Sequence, residues 1–110
     1  MAKYLFQASY AAEGIKGLEK DKASGRKAAL SNAVENLGGK LEALYWAFGE
    51  HDWVLLADLP DNASATAFSL AVSGSGLLRV TTTSLVSVEE MDAALQKKPL
   101  FQAPGQFTGG

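Results

Sequence analysis

A chain of 110 residues with 10 basic and 12 acidic side chains, one histidine and no cysteine has the size of one domain with its own core and is too short for two. Its net charge of −2, with both signs dispersed, provides no electrostatic footprint for nucleic acid or an anionic membrane. Without cysteine there is no disulfide framework, thiolate metal site or cysteine nucleophile, and a single histidine cannot build a multi-histidine site in one chain, so neither metal nor cofactor is expected.

Lys3 to Tyr10 alternate, with Tyr4, Phe6, Ala8 and Tyr10 on one side and Lys3, Leu5, Gln7 and Ser9 on the other, which predicts a first strand. The run YLFQASY is too short and polar for a signal peptide, and no apolar segment reaches membrane-spanning length, so a soluble cytoplasmic protein is expected. Ala12 to Leu18 can form a helical turn, and the polar EKDKASGRK after it reads as a solvated break or a loosely wound helix start. From Ser24 onward Leu30, Ala33, Val34 and Leu37 recur at helical spacing, with Gly38 placed as a left-handed cap.

Gly38 to Pro60 then holds two apolar runs around a short polar turn, the signature of a hairpin. In its first run Leu41, Ala43, Tyr45 and Ala47 fall on one side and Leu44, Trp46 and Phe48 on the other. The second, Trp53 to Leu59, is also apolar on both sides and stops at Pro60. Asp61 or Asn62 can cap a second helix with Ala65, Phe68 and Val72 in one stripe, ended by Gly74 and Gly76. Leu77 to Val86 is rich in β-branched residues and reads as a fourth strand. Ser87 and Glu90 have the spacing of a capping box for a short third helix, with Val88, Met91 and Leu95 expected inward. Pro99 stops it, and residues 99–110 form a flexible tail that Leu100, Phe101 or Phe107 could pin.

This order predicts an α+β, ferredoxin-like βαββαβ fold over residues 1–98: a four-stranded antiparallel sheet with both long helices on one face, plus the short C-terminal helix. The two-sided apolarity of the hairpin argues that the other face is covered as well. The expectation is a homodimer with sheets face to face; the alternative is that the third helix and tail fold back over it.

The stretch Gly49-Glu50-His51-Asp52, then Trp53 to Ala57, Asp58, Leu59 and Pro60-Asp61 resembles the signature of the GYD-domain proteins, of the dimeric α/β barrel superfamily. Gly76 and Arg79 with Thr81 to Thr83 resemble that family's entry into its last strand. His51 stands where the family has tyrosine. The resemblance implies a dimeric α/β barrel with a cavity at its centre or between sheet and helices. Its relatives include cofactor-independent oxygenases, haem-degrading enzymes, lactone isomerases and ligand-binding proteins, a likeness of fold that does not fix function.

His51 could act as an acid or base oriented by Asp52, or be an exposed turn residue. Asp58 follows three apolar residues and needs a partner, which Arg79 could supply as a polar anchor of a cavity or as a structural ion pair. Gln7, Ser9 and Thr81, with Thr83, could line a cavity. Tyr45, Trp46 and Trp53 could stack on a planar ligand, although aromatic residues in a hairpin serve more often as core or interface. Lys20, Lys22, Arg26 and Lys27 suggest an anion site or a solvated loop, and Gly74-Ser75-Gly76 follows a helix and so is no phosphate loop. Three functions fit: a dimer binding a small apolar or aromatic ligand, a cofactor-independent monooxygenase- or isomerase-like enzyme, or an assembly subunit whose tail docks a partner.

Overall fold

The structure is a computed structural model that describes residues 1–105. Its elements are β1 (Ala2–Tyr10), α1 (Ala12–Asn36), β2 (Lys40–Trp46), β3 (Trp53–Leu59), α2 (Asn62–Gly74), β4 (Leu78–Ser84) and α3 (Val88–Gln96). The strands form one antiparallel sheet in the order β2-β3-β1-β4. This is the expected α+β ferredoxin-like arrangement. No helix among the described residues is long and apolar enough to cross a membrane.

Alternation along the two central strands decides what is buried. Tyr4, Phe6 and Ala8 of β1 and Trp53, Leu55, Ala57 and Leu59 of β3 point under the helices and are buried. Leu30 and Val34 of α1 and Ala65 and Phe68 of α2 close over them. Phe68 meets Phe6 edge-on with ring centroids 4.7 Å apart, the geometry that places the positive rim of one ring on the negative face of the other.

The sheet's other face carries Leu5, Gln7 and Ser9 of β1, Val54, Leu56 and Asp58 of β3, and Arg79, Thr81 and Thr83 of β4, as the register requires. On β2 the simple alternation fails. Leu41 pairs with Ala57 but Ala43 pairs with Leu56, so Glu42 is an extra, bulged residue. A bulge flips the residues beyond it to the opposite face, so Leu41 joins Leu44 and Trp46 on the helix side, while Ala43 and Tyr45 stay on the open side. Strict alternation, by contrast, groups Leu41 with Tyr45.

The polar segment after Leu18, expected as a solvated break or a loosely wound helix start, is helical within α1 except for one residue, Lys22 (φ 63°, ψ 168°). That conformation is close to glycine-only for an L-residue. At the other end of α1, Gly38 has φ 84°, the expected left-handed stop, and its N–H reaches the Glu35 carbonyl at 2.9 Å.

α3 carries the complete capping box read from Ser87 and Glu90 but buries none of its residues. Val88, Met91 and Leu95, expected inward, are 75, 51 and 61 % exposed. Leu100 and Phe101 are also exposed, so neither pins the tail; Phe107 lies outside the described residues. The third helix and the described part of the tail therefore do not cover the open face. α3 is exposed along its whole length, and the radius of gyration is 18.2 Å where a compact chain of this length has about 13 Å.

Candidate functional site

The register sorts the candidate residues into three places. On the open face Tyr45, Val54, Gln7 and Thr81 stand in one row across all four strands. One step toward the hairpin turn, Ser9 and Arg79 are cross-strand partners, and the Ser9 hydroxyl donates to the Glu50 carbonyl of the turn at 3.3 Å. Gln7, Ser9, Tyr45 and Thr81 thus share a surface with apolar side chains at β2 and β3 and hydroxyls at β4. Trp46 and Trp53 pair with each other on the opposite, helix-covered side, Trp53 as a core residue 1 % exposed.

Asp58 and Arg79 do not meet. Asp58 pairs in register with Lys3 and Arg79 with Ser9, six residues apart on β1, about 20 Å at the usual strand rise. The partner of Asp58 is Lys3, whose ammonium donates to the carboxylate at 2.9 Å and also to Glu42. The bulge aims Glu42 at this ion cluster. Hydrogen bonds to Glu42 and then Asp58 hold the Lys3 ammonium above its ordinary pKa. The cluster ties β2, β3 and β1 together at one sheet end, and its partial exposure limits its contribution.

His51 and Asp52 do not form an oriented acid–base pair. The Asp52 carboxylate accepts from the Tyr10 N–H at 2.7 Å, its own N–H donates to the Ala8 carbonyl and its carbonyl accepts from Ala47, which makes it the clamp that closes the turn onto β1. His51 is half-buried, and its Nδ1 is buried and without a hydrogen-bond partner among the described residues. It shares the turn end of the sheet with Ser9 and Arg79, whereas Asp58 sits at the other end.

The third place is a cavity of about 340 Å³ on the helix side, between α1, α2 and the start of β4. Its floor is Tyr10, Trp53 and Leu78, its sides include Leu30, Phe68 and Val72, and this apolar lining with few polar groups is the usual make-up of a small-molecule pocket. Two features open the space. The first turn of α1 presses so closely on the residue before β4 that a Cβ on Gly14 would collide with the Leu77 carbonyl, and Gly17 further along presents no side chain to the cavity. Ala29, Ala33 and Ala71 similarly leave room at the helix interface.

Polar groups are sparse there. The Tyr10 hydroxyl is buried and unpartnered among the described residues, a state that costs free energy until something bonds to it. Asp21 and Arg26 line the cavity and pair with each other at 3.5 Å, flanking the strained Lys22. Backbone strain of this kind concentrates at functional sites. Of the basic group read from the sequence, Arg26 alone lines this cavity.

Sequence reasoning missed this site because its residues are spread over β1, both halves of α1, β3, α2 and the start of β4. The readable signal was the run of small residues Gly14, Gly17, Ala29 and Ala33 on one helix, with Tyr10 just before it. Lys3 and Glu42 were missed because pairing across a sheet depends on register, and a bulge is not visible in composition. Among the described residues there is no group of three or more His, Cys, Asp and Glu side chains placed to hold a metal.

A family model described as the GYD domain matches residues 4–95, which spans β1 through nearly all of α3. No curated protein matches the chain in sequence. The chain belongs to the GYD-domain family.

Proposed function

We propose that this GYD-domain chain is a homodimeric binding protein for a small, flat, apolar ligand, with one polar substituent on the ligand's rim. The single observation that carries the proposal is the helix-side cavity: about 340 Å³ of apolar space with Tyr10 in its lining, whose buried hydroxyl has no hydrogen-bond partner among the described residues. That volume suits a compact one- or two-ring compound, at the small end of the roughly 300–1,000 Å³ of known ligand sites. Trp53 and Phe68 would contact the ring system, and the Tyr10 hydroxyl would bond its polar substituent. The enzyme alternative finds less support, because His51, Asp58 and Arg79 do not converge on one place. The homodimer rests on the open sheet face, where Leu5, Val54 and Leu56 are only half-buried and Tyr45 is exposed.

The test uses a naphthalene carboxylate as probe and isothermal titration calorimetry as readout. Saturable binding is expected, lost in Ala71→Trp, which fills the cavity from an exposed position, and weakened several-fold in Tyr10→Phe, which removes one buried hydrogen bond. Equal binding in wild type and Ala71→Trp would place the probe elsewhere and refute the site.

A further inference from the structure

We infer that the arm formed by α3 and residues 97–105 is an exchanged clasp: each protomer lays it on the other along the rim of β2, against Tyr45 and Phe48. The inference rests on the homodimer reading and names the surface that completes it.

Three observations lead there. First, α3 is nine residues long and buries nothing, yet isolated helices shorter than about 12 residues are marginal in water even when well capped. Its exposed Val88, Met91 and Leu95, followed by exposed Leu100 and Phe101, make a continuous apolar strip in need of a receiving surface. Second, that surface is not on its own body. The root of the arm is fixed, with the Leu85 N–H on the Lys3 carbonyl at 2.9 Å, and beyond it α3 is exposed along its whole length. Third, the sheet faces alone are small. Four strands about 4.8 Å apart and about 23 Å long have a footprint of only roughly 440 Å², so added contact outside the sheet matters for a stable pair. The arms supply that contact.

Topology selects the occupant and its place. In a face-to-face pair related by a two-fold axis parallel to the strands, the order β2-β3-β1-β4 runs in opposite directions in the two sheets, so β4 of one lies over β2 of the other. The arm leaves from the end of β4 and therefore emerges beside the partner's β2. There Tyr45 and Phe48, 70 and 80 % exposed, are the large apolar side chains left uncovered on that edge and turn. The helix is about 14 Å long and the extended segment behind it spans up to about 30 Å, enough to follow β2 from its first residue to the turn.

The experiment compares the dimer dissociation constant of the full chain with those of Met91→Glu/Leu95→Glu and Phe48→Glu by sedimentation. All three positions are exposed in the protomer, so folding should be retained, with circular dichroism and tryptophan emission as checks. Weakening of the dimer by about 100-fold in the arm variant and by about tenfold or more in Phe48→Glu is expected, because carboxylates would be buried against apolar groups. An unchanged constant in the arm variant overturns the clasp while leaving the homodimer standing; an unchanged constant in Phe48→Glu overturns its placement on β2. A wild-type chain that is monomeric throughout overturns both readings together.

Discussion

α2 and α3 begin in the same way and end up in opposite surroundings. The Asp61 carboxylate accepts from the Ser64 N–H at 2.8 Å, and Ser87 and Glu90 satisfy each other's N–H groups at 3.1 and 3.0 Å. Both helices carry an apolar stripe. Yet α2 buries Ala65 and Phe68 on the sheet beside Phe6, whereas α3 buries nothing. A cap and a stripe suffice to write a helix; whether it is held depends on a surface of matching shape within reach. α2 finds one in its own protomer because it connects β3 to β4 and must cross the sheet between them. α3 leaves from the end of an edge strand and crosses nothing.

The contrast can be broken most forcefully through the buried stripe. Phe68→Ala should cost about 3–5 kcal/mol of unfolding free energy in urea titrations, the usual loss for an emptied aromatic core position. Met91→Ala, its counterpart on α3, should cost the dilute protomer less than about 0.5 kcal/mol, and a loss of several kcal/mol there would mean that α3 packs on its own body. A smaller effect isolates the cap. Ser87→Ala removes about 1 kcal/mol from a helix that has little else, so the α3 amides should lose their hydrogen-exchange protection at dilution. Asp61→Ala should leave α2 protected, since packing holds it.

Acid sharpens the same difference. The backbone N–H of Ser64 lowers the pKa of Asp61, and that of Ser87 lowers the pKa of Glu90. A carboxylate with a lowered folded pKa contributes its full stabilisation above the ordinary carboxylate range and loses it as pH falls through the lowered folded value. On acidification of the dilute protomer, α3 should therefore fray while α2 remains protected. Simultaneous loss in both would show that α2 too depends on its cap.

Much of the body was legible. The capping box at Ser87 and Glu90, the left-handed Gly38 and the order of elements follow from local spacing, and local spacing is what backbone hydrogen bonding obeys. Features that depend on the third dimension were not. Asp58 needed a cation, but choosing Lys3 over Arg79 requires the strand register. The bulge at Glu42 hides in a run already apolar on both sides, so the pattern gives no signal when Leu41 changes face. The break in α1 was visible as a polar segment containing Gly25, although the residue that takes the strained conformation is Lys22. Trp53 was a stacking candidate by type, and its place beneath the cavity became clear only once α1 and α2 were set over it.

The homodimer is the claim on which the rest depends, and the mass of the full chain in solution tests it most directly. Sedimentation equilibrium across the micromolar range should give twice the 11.6 kDa of one chain, dissociating only on dilution. A mass of one chain at every concentration would contradict the account, leaving the open face and the arm without the partner proposed for them.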